Sequence, residues 1–261
     1  MTVAVSSGKN ARIAIISGAS SGIGRQFAID LDGDVRLDEI WLCARREERL
    51  QELAASLRKP ARVLAGDITD KKWRDRLLLE IKDSECQIHT LINSAGFGKF
   101  EAFCDLDCNE RMVEVNCQAL TALTSLCLPY MQNGGRIINM ASVAGFMPQY
   151  KAAVYAASKA YVISFSRALH QELKERDITV TAVCPNPMKT EFFEANGIEI
   201  DANPIKKIGI EDVEKVAAKA LKRSDKGKDM SVCNLPAKIL RVISRILPHR
   251  LVLWFERKSG F

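Results

Sequence analysis

Apolar residues occur along the chain in short runs rich in Val and Ile, and these runs alternate with longer segments whose apolar positions recur three and four residues apart. Short β-branched runs bounded by turn residues predict buried strands, whereas the longer spacing predicts helices. We predict strands at 12–18, 39–45, 61–69, 88–96, 135–142, 178–185 and 229–235. We predict helices at about 23–31, 46–59, 71–83, 108–131, 152–175 and 210–223.

The alternation of strands and helices predicts an α/β fold with one parallel sheet of about seven strands. Strands that are apolar along their whole length must be covered on both faces, and right-handed crossovers then make the sheet doubly wound, as in a Rossmann-type fold. We expect this single domain at 12–235, between an N-terminal arm at 1–11 and a tail at 236–261. Ligands of such sheets bind at the carboxyl ends of the strands, so we expect the chemistry in the loops that follow them.

Composition argues against a membrane-spanning, a secreted and a metal-binding protein. Apolar residues make up 47% of the 261 residues, and no apolar run approaches the roughly 20 residues that a membrane span requires. The first residues lack the charged start and long apolar stretch of a signal peptide, so we expect a cytoplasmic protein. The eight cysteines form no C-x-x-C pair and the three histidines lie far apart, so we expect reduced, buried cysteines and no metal.

The positive charge is concentrated in the tail. Nearly all of the net charge of +6 lies in 237–261, where six cationic residues accompany one acid. A nearly neutral body with a basic tail does not indicate a nucleic-acid binder. The tail has helical spacing, with basic residues on one face and an apolar face formed by Ile239, Val242, Ile243 and Ile246. Such a helix can lie on an anionic membrane surface, and it can equally cover the core or a partner subunit.

The segment "SGASSGIG" at 17–24 follows the first predicted strand and begins a helix. Its glycines permit a tight turn and a close approach of the backbone to a ligand. The amides and the dipole at the start of a helix favour an anion such as a pyrophosphate. The sequence therefore predicts a dinucleotide site, and a purely structural turn is the alternative. The predicted cofactor contacts in this loop are Gly18, Ser20, Ser21, Gly22, Ile23 and Gly24.

The end of the second strand distinguishes between nicotinamide cofactors. NAD binders usually place an acid there for the ribose hydroxyl, whereas arginine accommodates the 2′-phosphate of NADP. Here the chain reads "CARREE", with Arg45 and Arg46. Two basic residues at a helix N-terminus oppose the helix dipole, so a phosphate partner explains them better than a solvated helix start does. We predict NADP(H).

The segment "VYAASKAYVISFSRAL" at 154–169 places Tyr155 and Lys159 one turn apart, on the same face of a predicted helix. A free tyrosine has a pKa near 10, and a nearby fixed positive charge lowers it. A phenol tuned in this way can give a proton to a ketone oxygen or take it back from an alcohol. Without other motifs, a tyrosine and a lysine at this spacing would indicate an ordinary surface pair. Together with a dinucleotide-binding loop, the pair predicts a catalytic acid/base.

Two further polar residues support a catalytic site. Ser142 closes the fifth predicted strand, where its hydroxyl could hold a substrate oxygen, and a helix or turn cap is the alternative. Asn116 lies inside a predicted helix, where asparagine is unfavourable and needs a partner if buried. A polar role at the site and a satisfied core amide both explain Asn116.

These residues together resemble the short-chain dehydrogenase/reductase family, in order, over residues 12 to about 235. The loop at 17–24 is similar to the family's T-G-x-x-x-G-x-G, with Ser17 in place of threonine. "NSAG" at 93–96 stands for N-N-A-G, with Ser94 in place of the second asparagine. "PNPMKT" at 185–190 stands for P-G-x-V-x-T, with Asn186 where the family usually has glycine.

The resemblance implies roles for the matching residues. Tyr155 would be the acid/base, Ser142 would orient the carbonyl, Lys159 would bind the nicotinamide ribose and lower the tyrosine pKa, and Asn116 would hold a proton-relay water. Asp67 would meet the adenine, and Thr190 would fix the carboxamide. The remaining implied cofactor contacts are Arg45, Arg46, Ile68, Asn93, Ala95, Gly96, Tyr155, Lys159, Pro185 and Met188.

The resemblance also implies assembly and a substrate lid. In the family, the helices that correspond to 108–131 and 152–175 pair across a two-fold axis, so we expect a homodimer or homotetramer; alanines that only pack on the sheet are the alternative. The loop at 191–209 should cover the substrate. An apolar pocket there would suit a hydrophobic carbonyl, although ordinary packing under a lid explains the same residues, Phe97, Phe146, Met147, Phe192 and Phe193.

Three functions remain open from the sequence. The leading one is an NADP(H)-dependent oxidoreductase that interconverts a ketone or aldehyde and an alcohol, with an apolar, steroid- or lipid-like substrate. The second is a membrane-surface reductase of acyl or lipid carbonyls, which the tail favours. The third is a non-catalytic NADPH-binding protein, against which the filled catalytic positions argue.

Overall fold

Seven parallel strands form one sheet in the computed structural model, which describes residues 10–194 and 209–259. The strand order is β3-β2-β1-β4-β5-β6-β7, so the chain winds outward in both directions from β1 and the predicted doubly wound fold is confirmed. The strands are β1 (Arg12–Ser17), β2 (Glu39–Ala44), β3 (Ala61–Ala65), β4 (Gln87–Asn93), β5 (Met131–Met140), β6 (Thr179–Val183) and β7 (Met230–Ser231).

Helices cover both faces of this sheet. Side chains alternate along β1, so Ile13 and Ile15 pack on one face with Trp73 and Leu77, whereas Ile16 packs on the other face with Phe27. The helices are α1 (Gly22–Leu31), α2 (Glu47–Ser56), α3 (Lys71–Asp83), α4 (Asn109–Val113), α5 (Leu120–Cys127), α6 (Ala153–Glu172), α7 (Glu191–Glu194), α8 (Val213–Asp225), α9 (Leu235–Ile246) and α10 (His249–Ser259).

The helix predicted at 108–131 is interrupted. A π-helical segment, Glu114–Ala119, separates α4 from α5, and a 3₁₀ turn at Leu128–Tyr130 ends the helical region. The strand predicted at 135–142 already begins at Met131, and its pairing with β4 shifts register between Ile88 and Thr90. The prediction missed this start because the bulged residues 132–135 are polar or glycine.

The other six strands are each shorter than predicted, and the difference is largest for β3 and β7. The strand predicted at 61–69 ends at Ala65, because Gly66 adopts a positive φ of 148° and turns the chain into the loop of Asp67. The strand predicted at 229–235 pairs with β6 only through Met230 and Ser231. It ends early because Asn234 caps α9, which begins one residue before the predicted tail.

The ends of the chain are described only in part. Residues 1–9 of the predicted arm and most of the predicted lid lie outside the described residues. The predicted tail forms two helices, α9 and α10, on either side of Pro248. No helix among the described residues is long and apolar enough to cross a membrane, and no group of three or more potential metal ligands occurs among them.

A buried arginine joins three parts of the fold away from the carboxyl ends of the strands. Arg136 of β5 has a side chain only 4% exposed and donates to Asp34 Oδ2 (2.6 Å) and Asp225 Oδ1 (2.7 Å). Its Nε donates to Thr90 Oγ1 (3.0 Å), and Arg36 pairs with both carboxylates. The cluster ties the chain after α1 and the end of α8 to the sheet.

We expect Arg136→Met to lower the free energy of unfolding by about 1.5–3 kcal/mol at pH 7, because the nearly buried Asp34 carboxylate loses a charge-assisted hydrogen bond and keeps only Arg36 as its ionic partner among the described residues. Burial would raise the pKa of Asp34, but hydrogen bonds from Arg36 and the charge of Arg136 hold it below its usual 3.8. A depressed carboxyl pKa stabilises the fold above the unfolded value, and this stabilisation is lost as the pH falls through the folded value.

Urea unfolding of wild type and variant at pH 7 and at pH 3 measures both effects, and the difference between them should shrink in acid. Arg58→Met is the matched control, since the Arg58 side chain is 82% exposed and pairs with Asp32 at the surface. Equal losses in the two variants would show that burial of Arg136 does not set the strength of the cluster.

Candidate functional site

A cleft of about 1110 Å³ lies at the carboxyl edge of the sheet. It collects the loops that follow six strands, as the fold predicts. Most of the predicted cofactor and catalytic residues line it: Gly18, Ser20, Ser21, Gly22, Ile23, Arg45, Arg46, Asp67, Ile68, Ala95, Gly96, Ser142, Tyr155, Lys159, Pro185, Met188 and Thr190. The lining residues do not include Gly24, Asn93 or Asn116, which lie behind the wall.

The glycine loop is shaped by close backbone contacts. Gly18 has a φ of 71°, and a Cβ there would lie 2.7 Å from the backbone nitrogen of Ala95. A Cβ at Gly24 would lie 2.2 Å from the carbonyl oxygen of Gly18, so Gly24 lets α1 begin directly against the loop. The loop therefore presents backbone and the start of a helix to the cleft, which is the arrangement that binds an anion.

Ser17 and Asn93 connect the ends of neighbouring strands. The hydroxyl of Ser17 accepts hydrogen bonds from the amides of Ser94 (3.1 Å) and Ala95 (3.3 Å), so it joins β1 to the loop after β4. Asn93 is buried and donates to Thr124 Oγ1 (3.0 Å) and Asn139 Oδ1 (2.8 Å). Asn93 thus supports the floor of the cleft and does not reach it.

Asp67 is held by its own turn and by an arginine. Its Oδ1 accepts from the amide and the hydroxyl of Thr69, and Arg111 forms an ion pair with Oδ2. Burial would raise the pKa of Asp67, but the bonds from Thr69 and the charges of Arg111 and Arg45 hold it below its usual value. Arg111 also lines the cleft, and the sequence offered no pattern that distinguishes it from other helical arginines.

The two predicted phosphate-binding arginines have different surroundings. Arg46 donates to Ser20 Oγ (3.2 Å) and Ser21 Oγ (2.8 Å), and it pairs with Glu191 (2.8 Å). Arg49 also pairs with Glu191, which begins α7. The guanidinium of Arg45 is exposed on the cleft and bonds to none of the described residues. Arg45 is therefore the better placed of the two for a phosphate.

Tyr155 and Lys159 are buried together on the wall of the cleft. Tyr155 is 7% exposed and Lys159 is 6% exposed. The Lys159 ammonium donates to the carbonyl oxygen of Met140 (2.8 Å) and lies 5.7 Å from the centre of the Tyr155 ring. The Ser142 hydroxyl, two residues beyond Met140, lies beside the Tyr155 phenol. Its Oγ also accepts from the amide of Ala144 (3.1 Å), which caps the 3₁₀ turn at Val143–Phe146. The structure thus brings together three of the four predicted catalytic side chains.

Burial shifts the pKa values of Tyr155 and Lys159 in opposite directions. Burial raises the pKa of Tyr155 to about 12, against which the Ser142 hydrogen bond acts in the lowering direction. Burial also lowers the pKa of Lys159 to about 8. Desolvation of the phenolate is the larger effect in the chain without a ligand, and the expectation that Lys159 lowers the tyrosine pKa stays a prediction.

Asn116 lies in the π-helical segment, behind the cleft. Its Oδ1 accepts from the amide of Phe97 (3.0 Å), and its Nδ2 donates to the Phe97 carbonyl (2.8 Å) and to Ser158 Oγ (3.1 Å). The carboxamide therefore pins the loop after β4 against α6. A Cβ at Gly96 would lie 3.0 Å from Asn116 Oδ1, so glycine permits this approach. The role of Asn116 in holding a water stays a prediction.

Asn186 stands where the resemblance implies glycine. Among the described residues, the non-glycine positions with positive φ are Asn10, Glu85, Lys151 and Asp177, so Asn186 has an ordinary backbone. The backbone N–H of Asn186 donates to Glu211 Oε2 (3.0 Å), and its side-chain Nδ2 donates to Asn234 Oδ1 (3.1 Å). The substitution therefore connects the loop after β6 to the N-terminus of α9.

Pro185, Met188 and Thr190 of the loop after β6 line the cleft, and Thr190 lies beside the glycine loop. Met188 forms a parallel bridge with Glu211, which fixes this segment to the chain before α8. The methyl group of Thr190 lies 3.5 Å from the position that a Cβ would take at Gly22. Thr190 therefore packs against the glycine loop, and its implied role in fixing the carboxamide stays a prediction.

Aromatic side chains surround Tyr155. Phe100 and Phe192 lie 5.3 and 5.7 Å from its ring centre, and Phe97 packs in the same cluster. Phe100 was not predicted, because single aromatic residues in loops carry no distinguishing pattern. Phe146 packs below α6 with Val143 and Val162, and Met147 is buried without lining the cleft, so these two are not pocket residues. The Phe193 side chain lies outside the described residues.

Comparisons with known proteins agree with this geometry. A family model described as short chain dehydrogenase matches residues 12–200. An uncharacterized oxidoreductase of Staphylococcus epidermidis is 35% identical over 187 residues, which cover 70% of this chain and 80% of the relative. Sulfoacetaldehyde reductase 2 of Chromohalobacter salexigens is 35% identical over 191 residues, which cover 69% and 74%.

A solved structure is similar over nearly the whole chain. It is a short-chain dehydrogenase from Sphingobium yanoikuyae in complex with NADPH, with a TM-score of 0.77 and 29% sequence identity. The similarity covers 90% of this chain and 93% of that chain.

We expect Gly24→Ala to weaken binding of NADPH at least about tenfold, because its Cβ would displace the carbonyl of Gly18 and with it the phosphate loop. Titration of the NADPH fluorescence measures the affinity. Gly33→Ala is the matched control, since the nearest atom to its Cβ is the end of the Arg58 side chain at 3.9 Å. Unchanged affinity in Gly24→Ala would mean that the loop does not position the phosphates.

Proposed function

The chain belongs to the short-chain dehydrogenase family of oxidoreductases, and within that family we propose that it is an NADP(H)-dependent reductase of an apolar ketone or aldehyde. The observation that carries this proposal is the burial of Tyr155 and Lys159 beside Ser142, on the wall of a cleft that ends at Arg45. One end of the cleft thus offers a proton donor and the other end a cation.

The residues of the cleft fit a dinucleotide. The glycine loop and the start of α1 would hold the pyrophosphate, and Asp67 and Ile68 would flank the adenine. Lys159 faces the cleft beside Gly96, where a Cβ would lie 3.4 Å from its ammonium, and it would bind the nicotinamide ribose. NADPH, when bound, supplies the hydride. Arg45 would distinguish NADPH from NADH, and the NADPH complex of the related Sphingobium enzyme supports this choice.

The protonated state of Tyr155 is compatible with the reducing direction. A phenol with a pKa of about 12 stays protonated near neutral pH, so it can donate its proton to the carbonyl oxygen as the alcohol forms. The Lys159 ammonium next to it would stabilise the phenolate that remains. Ser142 would hold the carbonyl oxygen toward the phenol.

The walls near Tyr155 favour an apolar substrate. Phe97, Phe100 and Phe192 surround the phenol, and Gly98 makes room for them, since a Cβ there would lie 2.5 Å from the Tyr155 ring. A hydrophobic carbonyl compound would bury apolar surface against these rings. The proposed substrate class is therefore a steroid- or lipid-like ketone or aldehyde.

We also propose that the protein is a homodimer or homotetramer. Among the alanines at the start of α6, Ala156 and the capping residue Ala152 are buried in the protein, whereas Ala153, Ala157 and Ala160 are exposed. Small exposed residues allow another helix to approach closely. Their exposure supports the pairing of subunits through this helix over the alternative that all of them pack on the sheet.

We expect Tyr155→Phe to lower kcat for NADPH oxidation by about 10²–10⁴-fold, because the variant has no proton to donate. A panel of apolar ketones and aldehydes, followed by absorbance of NADPH, supplies the assay. Binding of NADPH itself should change little. Tyr161→Phe is the matched control on the same helix, where the hydroxyl bonds to Thr121 (2.7 Å) away from the cleft. Equal rates in wild type and Tyr155→Phe would refute the assignment.

We expect Arg45→Ala to raise KM for NADPH by about 10–100-fold, the cost of a lost charge-assisted hydrogen bond, and to leave KM for NADH nearly unchanged. Steady-state rates with each cofactor measure the two values. Arg46→Ala should have a smaller effect, because Glu191 already neutralises Arg46. Arg58→Ala is the control for a loss of surface charge. An equal rise for both cofactors would show that Arg45 does not read the 2′-phosphate.

A further inference from the structure

Helix α9 presents its apolar side to solvent. A surface helix ordinarily packs its apolar stripe on the core. The fully buried residues of α9 are small, since Ala237 is 0% exposed and Ser244 is 8% exposed, and Leu240 is the one large apolar residue of this helix that packs on the core. The opposite side carries large apolar residues that are more than a third exposed, among them Ile239 (48%), Val242 (57%) and Ile246 (75%).

The orientation of α9 is fixed by hydrogen bonds at its start. Asn234 caps the helix by accepting from the amide of Ala237 (2.8 Å), and its own amide donates to the buried carboxylate of Glu211 (2.8 Å). The Asn234 side chain also donates to the carbonyl of Gly209 (2.8 Å). The helix is therefore anchored with its apolar face outward.

Helix α10 extends the same kind of surface. Leu251 is 46% exposed, Trp254 is 49% exposed and Phe255 is 63% exposed. Trp254 contacts Phe255 with ring centres 4.9 Å apart, and the Lys258 ammonium lies 4.3 Å from the Trp254 ring. An exposed tryptophan beside a lysine is the combination that side chains adopt at the boundary between water and lipid.

The charges around this surface favour an anionic partner. Lys238 and Arg245 are exposed beside the apolar face of α9, and the segment 237–261 carries six cationic residues against Glu256. A two-fold contact of this surface with a second copy would set these cations against themselves. An anionic lipid headgroup layer attracts them and accepts the apolar face beneath it.

We propose that α9 and α10 form a docking surface for an anionic lipid bilayer, on which the protein lies peripherally. The docking surface is the set of exposed residues Leu235, Lys238, Ile239, Val242, Ile243, Arg245, Ile246, Leu247, Leu251, Trp254, Phe255 and Lys258. Amphipathic helices with a cationic border lie in the plane of the lipid headgroups, and this is the orientation proposed for α9 and α10.

The docking surface is next to the cleft. Glu256 of α10 lines the cleft, and its carboxylate accepts a hydrogen bond from the amide of Tyr150 (2.7 Å). Docking therefore holds the cleft close to the lipid, from which an apolar carbonyl compound could enter. This consequence rests on the proposed reductase function, whereas docking itself does not depend on it.

Sedimentation with vesicles tests the proposal. The full chain is mixed with vesicles of phosphatidylcholine alone or of equal parts phosphatidylcholine and phosphatidylglycerol. We expect at least about tenfold stronger partition onto the anionic vesicles, reversed by high salt. The double variants Val242→Ser/Ile246→Ser and Lys238→Glu/Arg245→Glu should each lose at least about tenfold of this partition.

Matched controls separate a specific surface from general stickiness. Val35→Ser/Leu79→Ser removes apolar residues that are 86% and 58% exposed elsewhere, and Lys72→Glu/Lys82→Glu reverses two exposed charges of α3. Both controls should sediment with anionic vesicles as the wild type does. All four variants should keep the wild-type melting temperature, because the changed side chains are exposed.

The proposal fails if the wild type ignores anionic vesicles, or if the docking-surface variants partition as strongly as the controls. It also fails if the wild type ignores vesicles while Val242→Ser/Ile246→Ser converts a dimer into a monomer in gel filtration, since the surface would then join two copies. Vesicle partition needs no turnover, so a failure of the reductase assay with intact partition would reject only the proposed function.

Discussion

The catalytic wall depends on one buried ammonium group. A charged amine can stay inside a protein only if fixed polar groups replace its water, and the carbonyl of Met140 at the end of β5 does so for Lys159. This bond fixes α6 to the end of β5. Tyr155, one turn earlier, is thereby set beside Ser142. The 3₁₀ turn after Ser142 also packs directly against the backbone of α6. A Cβ at Gly145 in this turn would lie 2.7 Å from the Lys159 carbonyl oxygen.

The two ends of the cleft differ in burial and therefore in their chemical character. Around Tyr155 the walls are aromatic and desolvation dominates, so the phenol is held neutral. Around Arg45 the surface is exposed and cationic, and neighbouring Arg46 and Arg49 are balanced by Glu191 at the start of α7. The cleft is therefore cationic at one end and apolar at the other. A reduced dinucleotide that lies against an apolar carbonyl compound has the matching distribution, with charge at one end and the reacting, uncharged groups at the other.

The tail helices α9 and α10 are attached to the edge of the sheet that carries the cleft. Glu211 accepts from the amides of both Asn186 and Asn234, so one carboxylate holds the loop after β6 and the start of α9. At the other end of the tail, Glu256 bonds to the segment before α6. Helices α9 and α10 are thus attached to the cleft at two points, while most of their large apolar residues face outward. Proximity of the cleft to a lipid surface would follow from this attachment.

The sequence by itself determined the order of strands and helices, the glycine loop and the Tyr155–Lys159 spacing, because these depend on local periodicity, on backbone freedom and on distance along one helix. Only the tertiary structure decided the π-helical turn at Asn116, the early start of β5, the contribution of Phe100 and Arg111, and the sign of the Tyr155 pKa shift. Each of these arises from contacts between segments far apart in the chain. Desolvation in particular is set by everything that surrounds a group, which a motif of a few residues does not encode.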